Sequence, residues 1–145
     1  MNRTINFRVA SSCHWLSMPR VRYAVLACYL LVLFFLSLNP WVRPVFRDDI
    51  FSPDKLEHAL AYGGLAILVF FCLNKWRNGS IRSTTRGWIS AVLFSALIGV
   101  FVEIAQSLFT HNRTGSVEDA VANAFGAGLG CVAYLSVQSI RARWL

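Results

Sequence analysis

Acidic residues are scarce in this chain and absent from whole stretches of it. Seven Asp and Glu stand against fourteen Lys and Arg in 145 residues. Four apolar runs can be read, at 23–38, 59–73, 88–109 and 121–137. With their flanks they have about the length that a bilayer core of roughly 30 Å demands. The first, third and fifth segments around these runs hold ten bases and no acid: Arg3, Arg8, Arg20, Arg22, Lys75, Arg77, Arg82, Arg86, Arg141 and Arg143. Other absences exclude other designs. No small-residue cleavage site follows the first run, so a removed leader is not expected and residues 1–20 read as a short cytoplasmic arm. Cys13, Cys28, Cys72 and Cys131 show no metal-type spacing and none falls in an outer loop, so free, packed thiols are expected. An internal repeat is missing, which argues against an inverted-repeat transporter. No low-complexity segment divides the chain, and a single domain over 1–145 is expected. Nor is there a Ser or Cys nucleophile with a matched base.

What is present is apolar: 56% of residues, with a mean hydropathy of +0.51. That composition belongs to membrane proteins. The second and fourth segments, with the helix ends that join them, hold all seven acids: Asp48, Asp49, Asp54, Glu57, Glu103, Glu118 and Asp119. They contain only Arg43, Arg47, Lys55 and Arg113 as bases. The positive-inside rule then predicts cytoplasmic termini and outward-facing acids. Trp15, Trp41, Trp76, Trp88 and Trp144 each lie near a span end, as interfacial indoles do. The net charge of +7 is accounted for by these flanks and by attraction to anionic lipid head groups, not by nucleic acid. Short connections imply antiparallel neighbours, so the expected fold is an all-α, four-helix up-down transmembrane bundle with both termini inside.

Chemistry gathers at the outer ends of the last three spans. Ser52, Pro53 and Asp54 read as the cap and first turn of the second. Asp54 and His58 share a face, with Lys55 beside them. On the third, Glu103 and Gln106 share a face, with Gly99 a turn deeper. Ser116 to Asp119 reads as a capping box, and Asp119, Asn123, Gly126 and Gly130 then form one stripe at helical period. Glu103 lies roughly 9 Å below Phe109, His58 roughly 9 Å below Ser52 and Asn123 roughly 10 Å below Ser116. Three helices thus offer a carboxylate, an imidazole and an amide at one level, where lone polar groups are costly and mark function. Plainer roles stand beside this one. Asp119 can cap its own helix, Asp54 and Lys55 can pair at head-group level, Asn123 can tie helices, and His58 can be a satisfied core residue. Glu57 and Glu118 are expected to face water, and Gly126 and Gly130 to let a neighbouring helix approach closely.

At these residues the chain resembles the VanZ-like family of small bacterial membrane proteins. The pattern runs from 54 to 130: Asp54-Lys55-x-x-His58, Glu103-x-x-Gln106, Arg113, Ser116, Asp119-x-x-x-Asn123 and Gly126-x-x-x-Gly130. Thr110-His111-Asn112 stands where the family often has Pro-Gly. The resemblance implies a cell-envelope role in the bacterial cytoplasmic membrane, linked to low-level resistance to the glycopeptide teicoplanin.

Three classes of function follow. In the first, the protein binds an outer-leaflet component, either a lipid-linked envelope precursor or the antibiotic's lipid-bearing scaffold. Arg113 and Lys55 would hold an anionic group, while Gln106, Asn123, Asp54 and Asp119 line the site. In the second, His58 or Glu103 acts as general base in a hydrolase or transferase acting on a lipid phosphate. A divalent metal held by His58, Glu103, Asp119 and Asp54 is a further, less favoured variant. In the third, the protein is a non-catalytic structural partner.

Overall fold

The computed structural model describes residues 5–8, 18–39, 53–73, 76–77, 80–83, 85–110 and 115–144. Four helices dominate: α1 (Pro19–Leu38), α2 (Pro53–Leu73), α3 (Thr85–Phe109) and α4 (Val117–Trp144). Each is long and apolar enough to cross a membrane, which makes this a multi-pass membrane protein. Three helices end at the last residue of an apolar run, at Leu38, Leu73 and Phe109. All four begin earlier than the runs, because their first turns are polar and hydropathy alone does not count them. Pro19 and Pro53 sit at first helical positions, where a missing N–H costs nothing.

Three short strands accompany the helices, and no periodicity in the sequence announced them: β1 (Ile5–Arg8), β2 (Trp76–Arg77) and β3 (Ser80–Ser83). They form one antiparallel sheet in the order β1-β3-β2. Ile5 pairs with Ser83 and Arg8 with Ser80, while Trp76 pairs with Ile81. The chain ahead of α1 is thereby tied to the connection between α2 and α3. Strands of two to four residues are too short to show an alternating pattern.

α2 is the hub. It packs on α1, α3 and α4, while α1 and α4 each also touch α3. The α2–α4 seam is the tightest because glycine lines it on both sides. A Cβ on Gly126 would collide with the Ala59 backbone, one on Gly130 with Gly63, and one on Gly63 would lie 2.9 Å from the Gly126 carbonyl oxygen. Without side chains in the way, the two backbones meet directly. Phe70 stacks on Trp88 with ring centroids 3.7 Å apart, and Tyr134 of α4 lies against both. Leu31, Phe35, Leu97, Phe101, Phe125 and Leu129 point outward and are exposed. Such a belt would drive a soluble domain to aggregate; in a bilayer it is the lipid-facing surface.

Candidate functional site

Glu103 lies near the end of α3 and is 5% exposed. Its carboxylate meets α4 in two places. Oε2 accepts the backbone N–H of Ser116 at 3.1 Å, and Oε1 accepts Asn123 Nδ2–H at 3.3 Å. The first contact completes the capping of α4. Ser116 Oγ accepts the Asp119 N–H at 3.0 Å, as the box motif requires. The reciprocal bond to the Ser116 amide, however, comes from Glu103 of the preceding helix. A carboxylate is placed against the positive end of α4's dipole, a favourable position for an anion. Gly115 makes room for this turn, since a Cβ there would strike the Glu103 backbone.

His58 reaches the same point from α2. Its Nδ1 is 3.0 Å from Asn123 Oδ1 and 3.8 Å from Glu103 Oε1. Asn123 is fully buried and joins the other two, its oxygen toward the imidazole and its nitrogen toward the carboxylate. Gly99 provides its space, because a Cβ there would lie 2.8 Å from the Asn123 Cβ. The depth reckoning from sequence therefore corresponds to direct contact among α2, α3 and α4.

The other named residues fall in different places. Lys55 forms an ion pair with Glu118 at 3.1 Å, bridging the first turns of α2 and α4. Glu118 faces water as expected, with 75% of its side chain exposed, and is a cross-helix partner as well. Gln106 turns away from the cluster and donates to the Ser37 carbonyl of α1 at 2.9 Å. Asp119 contributes its backbone N–H to the cap and its side chain is half-buried. Asp54 belongs to the first turn of α2, with its side chain outside the described residues; Arg113 and the Ser52 cap lie outside them altogether. Among the described residues, no three of His, Cys, Asp and Glu converge as a metal cage would.

Two residues went unnoticed at the sequence level. Tyr62 follows His58 by one turn, is 1% exposed, and has a hydroxyl without a hydrogen-bond partner among the described residues. The spacing His58-x-x-x-Tyr62 was the available signal. Gly63 is α2's half of the glycine seam, and the Gly63-Gly64 pair was the signal for it.

A family model described as VanZ/LLP1 matches residues 16–138, most of the chain. No curated protein and no solved structure matches it.

Proposed function

The chain belongs to the VanZ/LLP1 family, and from that premise we propose that it binds an anionic lipid or lipid-linked component of the bacterial envelope. In this reading the protein resides in the cytoplasmic membrane with both termini inside and its helices alternating in direction. The cluster of His58, Glu103 and Asn123 then lies just beneath the outer head groups. Lys55 and Arg113 attract the anionic group, and grooves between helices receive its tail. The link to teicoplanin resistance would follow from altered handling of that component.

The observation that carries the reading is the convergence of Glu103, His58 and Asn123 from three helices at one depth. Capping α4 needs one acceptor at Ser116. It does not need an imidazole and an amide gathered beside that acceptor, each with a desolvation cost in the membrane. One feature favours a second, catalytic version: Asn123 holds the imidazole in a fixed direction, as a proton-transferring histidine requires. His58 would then serve as base in a reaction at a lipid phosphate.

Two measurements test the proposal. Cysteines placed at Arg47 and Asn112 should react with an impermeant maleimide in intact cells, and one at Ser80 should not; the reverse pattern removes the outward-facing site. Native mass spectrometry in gentle detergent should find a retained anionic lipid on the wild-type chain and less of it on Glu103→Gln. Equal retention by the two would place any lipid elsewhere.

A further inference from the structure

The three strands carry a pattern that none of them shows alone. Successive residues of a strand belong to opposite faces of the sheet, and residues paired across antiparallel strands share a face. The register sets Arg8 and Arg77 on the two sides of Ser80, and Asn6 beside Arg82. It sets Phe7 and Trp76 on the two sides of Ile81, and Ile5 beside Ser83. Arg8, Arg77 and Arg82 therefore fall on one face, accompanied only by Asn6 and Ser80. Ile5, Phe7, Trp76 and Ile81 fall on the other, with Ser83. No strand residue is acidic.

Chain length fixes where this sheet can lie. Two residues separate Leu73, the end of α2, from Trp76, and one separates Ser83 from Thr85, where α3 begins. At no more than about 3.6 Å per residue, these links hold the sheet within roughly 11 Å of the two helix ends. The head-group layer on either side of the hydrocarbon core is about 5–8 Å deep. The sheet is thus kept at head-group level, near the end of α2 that lies roughly 22 Å from His58. Among the described residues the strands pack on one another and no helix lays a face over them. A sheet with one apolar face has to bury it. The apolar phase within reach is the acyl region of the leaflet beside it.

An amphipathic element at a membrane surface seats its apolar face on the acyl boundary and keeps its bases among the head groups. Indole rings belong to the same layer, and an arginine stem is long enough to carry its charge to the phosphates. The charge on the basic face has a single sign, which complements an anionic lipid surface. We propose that β1, β2 and β3 form a membrane-surface dock for anionic phospholipids. Ile5, Phe7, Trp76 and Ile81 seat it on the acyl chains of the leaflet at the Leu73 and Thr85 helix ends, and Arg8, Arg77 and Arg82 bind the lipid phosphates of that leaflet. The dock ties the chain ahead of α1 to the α2–α3 connection through lipid as well as through the ladder. It is separate from the His58 cluster and does not depend on the reading given to that cluster.

The experiment measures amide hydrogen exchange of the full-length protein in nanodiscs, by mass spectrometry of peptides covering 5–8 and 76–83. One set of discs holds phosphatidylcholine alone, the other an equimolar mixture with phosphatidylglycerol. Exchange of the strand amides in wild type should be about tenfold slower in the mixed discs, since each base near an anionic surface adds to the attraction. High salt should remove the difference. Replacing all three arginines by Gln should give equal exchange in the two kinds of disc. Replacing all three by Lys, which keeps the charge, should retain most of the difference, and this separates lipid attraction from damage to the ladder. Phe7→Ser with Ile81→Ser should speed exchange in both discs by unseating the apolar face. Equal exchange of wild type in the two discs overturns the dock, as does a difference that survives the three Gln substitutions or is lost in the three Lys substitutions. Unchanged exchange in the Phe7→Ser, Ile81→Ser variant overturns the seating on acyl chains. Glu103→Gln should leave the lipid response as it is in wild type; a lost response would mean that the sheet and the His58 cluster are one site, against this assignment.

Discussion

The two sides of α2 are held by different means. On the α4 side, backbones touch through Gly63, Gly126 and Gly130, and a polar cluster closes the end of the seam. On the α1 side, single side chains reach across to carbonyl oxygens. The Arg22 guanidinium donates to Phe71 O, Tyr29 donates to Ala61 O at 2.7 Å, and Tyr23 donates to Cys72 O at 3.4 Å. Each side also answers a helix dipole. Arg22 brings a cation to the C-terminal turn of α2, and Glu103 brings an anion to the N-terminus of α4. The capping need is comparable, yet only Glu103 is accompanied by a histidine, an asparagine and a buried tyrosine. The α1 side is explained by holding a helix in place. The α4 side exceeds that need, and the surplus is where function is to be sought.

The largest effect should come from breaking the seam. Gly126→Leu with Gly130→Leu puts two side chains where backbone now lies, and at least about 3 kcal/mol should be lost. Thermal unfolding in mild detergent measures it. Gly128 supplies the control, for a Cβ there meets nothing within 4 Å. Gly128→Ala should leave Tm unchanged or slightly raised through helix propensity. If the double variant melts like wild type, the tight α4 side does not exist and the comparison fails.

Glu103→Gln comes next. Retaining the side-chain shape is not sufficient, because both carboxylate oxygens accept from α4 and an amide turns one acceptor into a donor. A stability loss of about 3 kcal/mol is expected, near the low end for breaking a buried pair. Teicoplanin resistance, at matched membrane abundance, should fall to the empty-vector level. Arg22→Met sharpens the contrast. It removes the charged bond to Phe71 and should cost about 2 kcal/mol, with susceptibility unchanged at matched abundance. Loss of resistance in both variants would mean that the two sides do one job.

How much of this could be read beforehand depended on how local each feature is. The ends at Leu38, Leu73 and Phe109 and the Ser116 cap are set by neighbours in the chain, and sequence placed them. The level shared by Glu103, His58 and Asn123 followed from helical rise alone. What escaped notice needed knowledge of which helix stands opposite. Gln106 shares a face with Glu103, yet three residues of rotation are enough to point it at Ser37 of α1. The donor to Glu103 from Ser116 is a backbone N–H, which leaves no mark in sequence. Lys55 and Glu118 are separated by 63 positions, and nothing in either segment names the other.

The smallest effect should come from that last pair. Lys55 and Glu118 meet at 3.1 Å, but most of the Glu118 side chain is in solvent, and exposed pairs contribute below about 1 kcal/mol. Glu118→Gln should therefore shift Tm by no more than a degree or two, and by less still in high salt, where the wild-type pair is screened. Its value lies in the sign of a second measurement. Glu118 occupies the cation that an anionic head group would need, so removing its charge should strengthen retention of phosphatidylglycerol. Lys55→Gln should weaken it, though both variants break the same bridge. If the two variants change retention in the same direction, the bridge matters as a tie between α2 and α4 and Lys55 does not receive the lipid. Opposite directions would make the polar end of the α4 side a binding surface.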